Sequence, residues 1–162
     1  NRSDQLIRLG RPAEAEQAAR KALALSPGMS AAQSNLALSL LLQEQPMAAQ
    51  KAAQTRENES VRQAILALAY YDEGDWEAAE RALVSLGQEH AQKSAYLVAL
   101  VHAWRGEVDD AFRWLDKAIE EKQPVFGIRT EPFLRVLHDD PRWEIPLEKV
   151  GLGNRQVGDI VL

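Results

Sequence analysis

The sequence predicts an all-α chain built from repeated helix–turn–helix units, and three observations carry that reading. A turn signal recurs as "LGRPAEA" (Leu9 to Ala15), "QEQPMAA" (Gln43 to Ala49), "EGDWEAA" (Glu73 to Ala79) and "RGEVDDA" (Arg105 to Ala111). Its central residues, Gly10, Glu44, Gly74 and Gly106, are spaced by 34, 30 and 32. Apolar residues at helical period flank each signal. No segment alternates with period two for long enough to read as a strand.

Each element follows from local chemistry. "NRSDQLIRLG" supplies the end of a first helix, so the chain opens in mid-unit. It is therefore expected to be the carboxy-terminal piece of a longer protein, with Leu6, Ile7 and Leu9 poorly covered. "PAEAEQAARKALAL" follows as a second helix, started by Pro12 and stopped by Pro27. "AAQSNLALSLLLQ" and "VRQAILALAYYDE" are the first helices of two further units. "PMAAQKAAQ", "WEAAERALVSL" and "VDDAFRWLDKAIEE" are second helices, the last stopped by Pro124. Three of the four central turn residues are glycine, which enters the left-handed region after a helix without a Cβ penalty. Asp75 is a natural N-cap. Ala15, Ala49, Ala79 and Ala111 let paired helices approach closely, and Leu23, Leu83 and Leu115 fill the gap beyond. Trp76 and Trp114, at core spacing on second helices, and Trp143, in the closing segment, are expected to be structural.

The tail, Arg129 to Leu152, abandons the repeat. Thr130 is expected to cap a short helix holding Phe133, Leu134 and Leu137. Asp140-Pro141 is expected to start another, holding Trp143, Leu147 and Val150 and bent by Pro146. "NRQVGDIVL" reads as a last short helix or strand.

Composition narrows the function. At 162 residues the chain is long enough to bury a core without staples. The longest apolar run, Leu36 to Leu42, is broken by Ser39 and falls short of the ~18 residues of a membrane span. The absence of cysteine excludes disulfides and thiolate metal sites; it fits a cytoplasmic protein without excluding the periplasm. Residues 1–58 carry 7 Lys and Arg against 5 Asp and Glu, and residues 59–162 carry 12 against 19. An acidic surface of that kind repels phosphate backbones, so no nucleic-acid partner is expected.

Chemistry-bearing residues are sparse. His90, His102 and His138 form no metal-binding spacing, and no cofactor or metal is expected. His102 reads as a packing or hydrogen-bonding histidine. His138 with Asp139 or Asp140 is the one hydrolase candidate; the simpler reading makes Asp140 an N-cap before Pro141. Without a phosphate loop or nucleophile elbow, an enzyme is not expected and no catalytic residue is assigned.

The repeated unit resembles the tetratricopeptide repeat (TPR) family. "LALAYYDEGDWEAAERAL" places Leu66, Ala67, Tyr70, Gly74, Trp76, Ala79 and Leu83 on the family's packing positions. "VALVHAWRGEVDDAFRWLDKAIEEKQP" does the same with Val98, Ala99, His102, Gly106, Val108, Ala111, Leu115, Ala118 and Pro124. The second repeat is degenerate, with Glu44 for glycine, Arg56 for a small residue and a second helix short by about one turn. The resemblance implies a right-handed superhelix of about four repeats over residues 1–124: about 1–29 (partial), 30–59, 60–91 and 92–124. A helical cap would close it over 125–162. The tail resembles a closing segment of some bacterial TPR-containing regulators, with an aromatic in the place of Trp143 and a final Gly-Leu.

For function, the resemblance implies a non-enzymatic scaffold that binds a protein, peptide or helix in a concave groove. The groove-facing positions it assigns are Ser34, Leu38 and Leu41, then Ala64, Leu68, Tyr71 and Asp72, then Lys93, Tyr96, Leu100 and Trp104. Leu38, Leu68, Tyr71, Asp72, Lys93, Tyr96, Leu100 and Trp104 are the candidate contacts; the alternative is that the cap folds back and fills the patch. The clamp that grips chaperone tails is not implied, because only Lys93 fits among Ser34, Leu38, Ile65, Lys93 and Leu97. The competing class is a regulatory or dimerisation module of a larger bacterial signalling or transcription regulator. Its partner would be another domain of the same protein, with self-association open.

Overall fold

The computed structural model describes residues 2–54, 58–89, 91–125 and 127–153, with the backbone alone at residues 89 and 91–93. Arg56, His90 and the closing "NRQVGDIVL" therefore lie outside the described residues. Among the described residues the chain is all-α, and no helix is long and apolar enough to cross a membrane. It divides into two compact units, residues 1–90 and 91–162.

The first unit holds α1 (Arg2–Arg8), α2 (Pro12–Leu25), α3 (Ser30–Leu41), α4 (Pro46–Gln54), α5 (Glu59–Glu73) and α6 (Trp76–Glu89). Each helix packs on the next, and α1 touches α3 as α3 touches α5. Alanines make this close stacking feasible: Ala15, Ala19, Ala32, Ala37, Ala49, Ala53, Ala67 and Ala79 are all buried. Leu40, Leu41, Ile65 and Leu86 fill the wider gaps. Leu6 and Ile7, expected to be poorly covered, are buried in a small cluster with Ala15, against which Ala18, Leu38 and Leu42 pack. Their cover comes from the neighbouring helices, and only Leu9, at the turn, is exposed. A buried polar contact ties α1 to α3, Asn35 Nδ2 donating to Ser3 Oγ at 2.8 Å.

The recurring turn has one chemistry. Gly10 N–H donates to Ile7 O and Arg11 N–H to Leu6 O. The same crossed pair joins Glu44 and Gln45 to Leu41 and Leu40, Gly74 and Asp75 to Tyr71 and Tyr70, and Gly106 and Glu107 to Ala103 and His102. This is the Schellman closure, which satisfies two orphan carbonyls and requires a left-handed residue. The φ angles are 69°, 58°, 79° and 75° at Gly10, Glu44, Gly74 and Gly106. Glu44 adopts the conformation without being glycine, at a cost of about 1–2 kcal/mol. The residue after each turn then opens the next helix: Arg11, Gln45, Asp75 and Glu107 carbonyls accept from Ala15, Ala49, Ala79 and Ala111 N–H. Asp75 also caps with its side chain, Oδ1 accepting from Ala78 N–H at 3.0 Å.

The second unit holds α7 (Ala91–Trp104), α8 (Val108–Glu120), 3-10 turns at Ile128–Thr130, Pro132–Leu137 and Pro141–Trp143, and α9 (Glu144–Lys149). Its core joins Ala99, Ala103, Ala111, Phe112 and Leu115 to the tail's Ile128, Leu134, Leu137, Trp143 and Leu147. Thr130 does not cap the first tail helix. Its hydroxyl donates to Gly127 O, and Pro132, with φ already fixed for a helix start, opens the 3-10 helix after Glu131. Asp140 does cap, Oδ1 accepting from Arg142 N–H at 2.9 Å. Pro146 falls in the first turn of α9, where its missing N–H forfeits no helical bond.

Candidate partner-binding surface

In the first unit, Tyr71 stands in the last turn of α5 and Trp76 opens α6 beyond the hairpin turn. The rings meet edge to face, with centroids 4.9 Å apart and planes at 78°, an arrangement favoured by the aromatic quadrupole. Trp76 nevertheless stays 62% exposed, which corrects the expectation that it is structural. The reason is positional. Trp76 shares a helical face with Ala79 and Leu83, both buried, but it is the first residue of α6 and the facing helix ends at Glu73. The Tyr71 ring packs against it. Asp72 is exposed beside this pair, Leu38 is half-buried, and Leu68, at 2%, belongs to the core rather than to a surface. Gln50 of α4 donates to Glu73 Oε2 at 2.7 Å, and exposed Met47 lies one turn earlier on the same helix face.

In the second unit, the predicted contacts on α7 are covered by the chain's own tail. The Pro132–Leu137 helix packs on α7, with the Phe133 ring 4.9 Å from the Trp104 ring. Tyr96 and Leu100 pack against the core that the tail completes. Gln123 fixes the same region by accepting from Tyr96 N–H at 3.1 Å. The Lys93 side chain lies outside the described residues. Arg142 and Lys149 fasten the tail to α8, with Arg142 Nη1 2.7 Å from Asp109 Oδ1 and Lys149 Nζ 2.8 Å from Asp116 Oδ1. Arg142 also lies over the Phe112 ring, 4.6 Å from its centroid, and Lys117 lies over the Trp114 ring at 4.6 Å.

Several titratable groups of the second unit are tied into this scaffold. Hydrogen bonds from the Arg142 side chain, then from its backbone N–H, hold the Asp140 carboxyl down at about 2. Both Asp140 oxygens are thereby used, and neither orients His138. His138 stacks on Trp143 at 4.6 Å beside a cavity of about 350 Å³ bordered by Arg129, Asp140 and Glu144. Burial, then the charge of Arg135, pushes the His138 imidazole below its ordinary range. His102 Nδ1 lies 2.5 Å from Glu107 Oε2, across the turn, so it is a hydrogen-bonding histidine. Arg105 Nε reaches the other Glu107 oxygen at 3.0 Å, and Arg113 pairs with Asp110. His102, Glu107 and Asp110 are the described residues closest to a metal-ligand set, their donor atoms within 4.8 Å of one another. Arg105 and Arg113 already pair with the two carboxylates.

The described fold is thus an all-α series of helical hairpins, with Trp76 left exposed against the half-buried Tyr71 at a hairpin turn of the first unit. Neither a scan against protein-family models nor searches of curated proteins and solved structures return a match.

Proposed function

We propose that the chain is a non-enzymatic protein-interaction module of TPR type, and that its first unit offers the partner-binding surface at Trp76 and Tyr71. The observation that carries this reading is the pair itself. An array that buries Ile65, Leu68, Leu83 and Leu86 of α5 and α6 leaves a tryptophan 62% exposed, with the Tyr71 ring packed against it. Tryptophan and tyrosine are over-represented among residues that dominate interface energy, since each offers a large rigid face at low entropic cost. The identical turn closures at helical-repeat spacing support the TPR assignment, because that family repeats one such hairpin. The test is selection of a random peptide display library on the immobilised chain. Selected peptides are expected to lose binding to a Trp76→Ala variant that keeps the wild-type helical circular dichroism. Ligands that bind both proteins equally would refute the assignment.

A second reading has its own support. Because the aromatic face of α7 is covered by the tail, the array already uses an intramolecular segment as a ligand would be used. A regulatory or dimerisation module of a larger protein would extend that habit. Sedimentation over a concentration series separates the two: association with the mass of a dimer supports it, and a constant monomer opposes it.

A further inference from the structure

The surroundings of Trp76 specify the chemistry of what binds it. From Tyr71 to Arg81 the chain carries Asp72, Glu73, Asp75, Glu77 and Glu80, and a single cation, Arg81. Asp72, Glu73, Asp75, Glu77 and Glu80 are all exposed. Arg81 is held by Glu77, Nη1 to Oε1 2.6 Å, at a pair so open to solvent that it is worth little. Asp75 faces its own helix start, and Glu73 is bound by the uncharged Gln50. Five carboxylates against one arginine give this stretch an excess of negative charge beside the exposed Trp76.

Elsewhere the molecule shows what suits such a face. Lys117 sits over Trp114 and Arg142 over Phe112, each at 4.6 Å. Trp76 meets the Tyr71 ring instead, the two packed edge to face. Resting on the interaction module proposed above, we infer that the Trp76 surface takes a basic peptide segment, one Lys or Arg head over the indole and neighbouring cations against Asp72 and Glu77. The attraction has two parts: the ring quadrupole draws the cation, and the carboxylates steer it and penalise acidic competitors. Apolar side chains beside the cation would rest on the Tyr71 edge and the exposed Met47.

Fluorescence anisotropy with three labelled peptides tests this: alternating lysine and leucine, and the same peptide with glutamine or glutamate for lysine. The lysine peptide is expected to bind at least tenfold tighter than the glutamine peptide, with no binding of the glutamate peptide. Its affinity should fall steeply from about 0.05 M to about 1 M salt, where the Debye length shrinks to ~3 Å. Trp76→Ala should weaken it about tenfold, and Asp72→Asn with Glu77→Gln should flatten the salt dependence without loss of helicity. Glutamine and lysine peptides that bind alike, both through Trp76, would overturn the inference and leave the interaction module standing. A lysine peptide that does not bind, or binds Trp76→Ala as well as wild type, overturns the inference alone. The module itself falls if display selection yields no Trp76-dependent ligand.

Discussion

Phe133→Ala is the substitution that bears hardest on how the second unit closes. Its ring is 2% exposed and lies between the tail and Trp104 of α7. Phenylalanine buries about 150–250 Å², so at ~25 cal/mol per Å² the transfer contribution is about 4–6 kcal/mol as an upper estimate. Measured Phe→Ala losses in cores run at about 3–5 kcal/mol, which already includes partial collapse of the cavity. Against a total stability of about 5–15 kcal/mol, the unit should be markedly destabilised. Urea unfolding read by circular dichroism gives the loss, and tryptophan emission should shift to the red as Trp104 meets water. Val136→Ala, on the same 3-10 helix but 47% exposed, is the control and should cost under about 1 kcal/mol. A Phe133→Ala loss no larger than the control would refute the packing of the tail on α7.

Two other predictions concern the turns and the histidine. No atom lies within 4 Å of a Cβ built on Gly74, so Gly74→Ala tests the left-handed backbone without a steric clash; it should cost about 1 kcal/mol by urea titration. Glu44→Gly, at the one turn that lacks glycine, should cost nothing or stabilise by up to about 1 kcal/mol, and a loss of that size would contradict the shared closure. Burial pushes the His138 imidazole below its ordinary range, so the unfolded chain takes up its proton first as pH falls. The second unit should therefore lose stability as pH drops through about 6.5, the unperturbed histidine value, and His138→Gln should flatten that slope in thermal melts at pH 7.5 and 5.5.

The hairpin order was legible because turn chemistry is local. Gly10, Gly74 and Gly106 advertise the left-handed position, and even Glu44 kept its place through the spacing of its neighbours. Burial was less legible, since periodicity says which side chains share a face and not which element covers it. Trp76 shares the core face of α6 but lies beyond the end of α5, while Leu6 and Ile7 find cover that their own segment does not announce. Leu68 went the same way, placed by family position on a surface and by packing in the core. The tail on α7 is a contact distant in sequence, made by a segment outside the repeat. The His102–Glu107 contact joins residues five apart across a turn, a spacing that patterns confined to one helix do not sample.

The chain has four tryptophans, and each indole N–H gives its own signal in a nitrogen–proton correlation spectrum. Titration with the lysine–leucine peptide, with the Trp76 signal assigned through Trp76→Phe, reads the binding surface directly. Progressive, saturable movement of the Trp76 signal, with Trp104 and Trp143 unmoved, is the predicted result. Movement of Trp104 or Trp143 while Trp76 stays fixed would place the partner on the tail-covered unit and contradict the account.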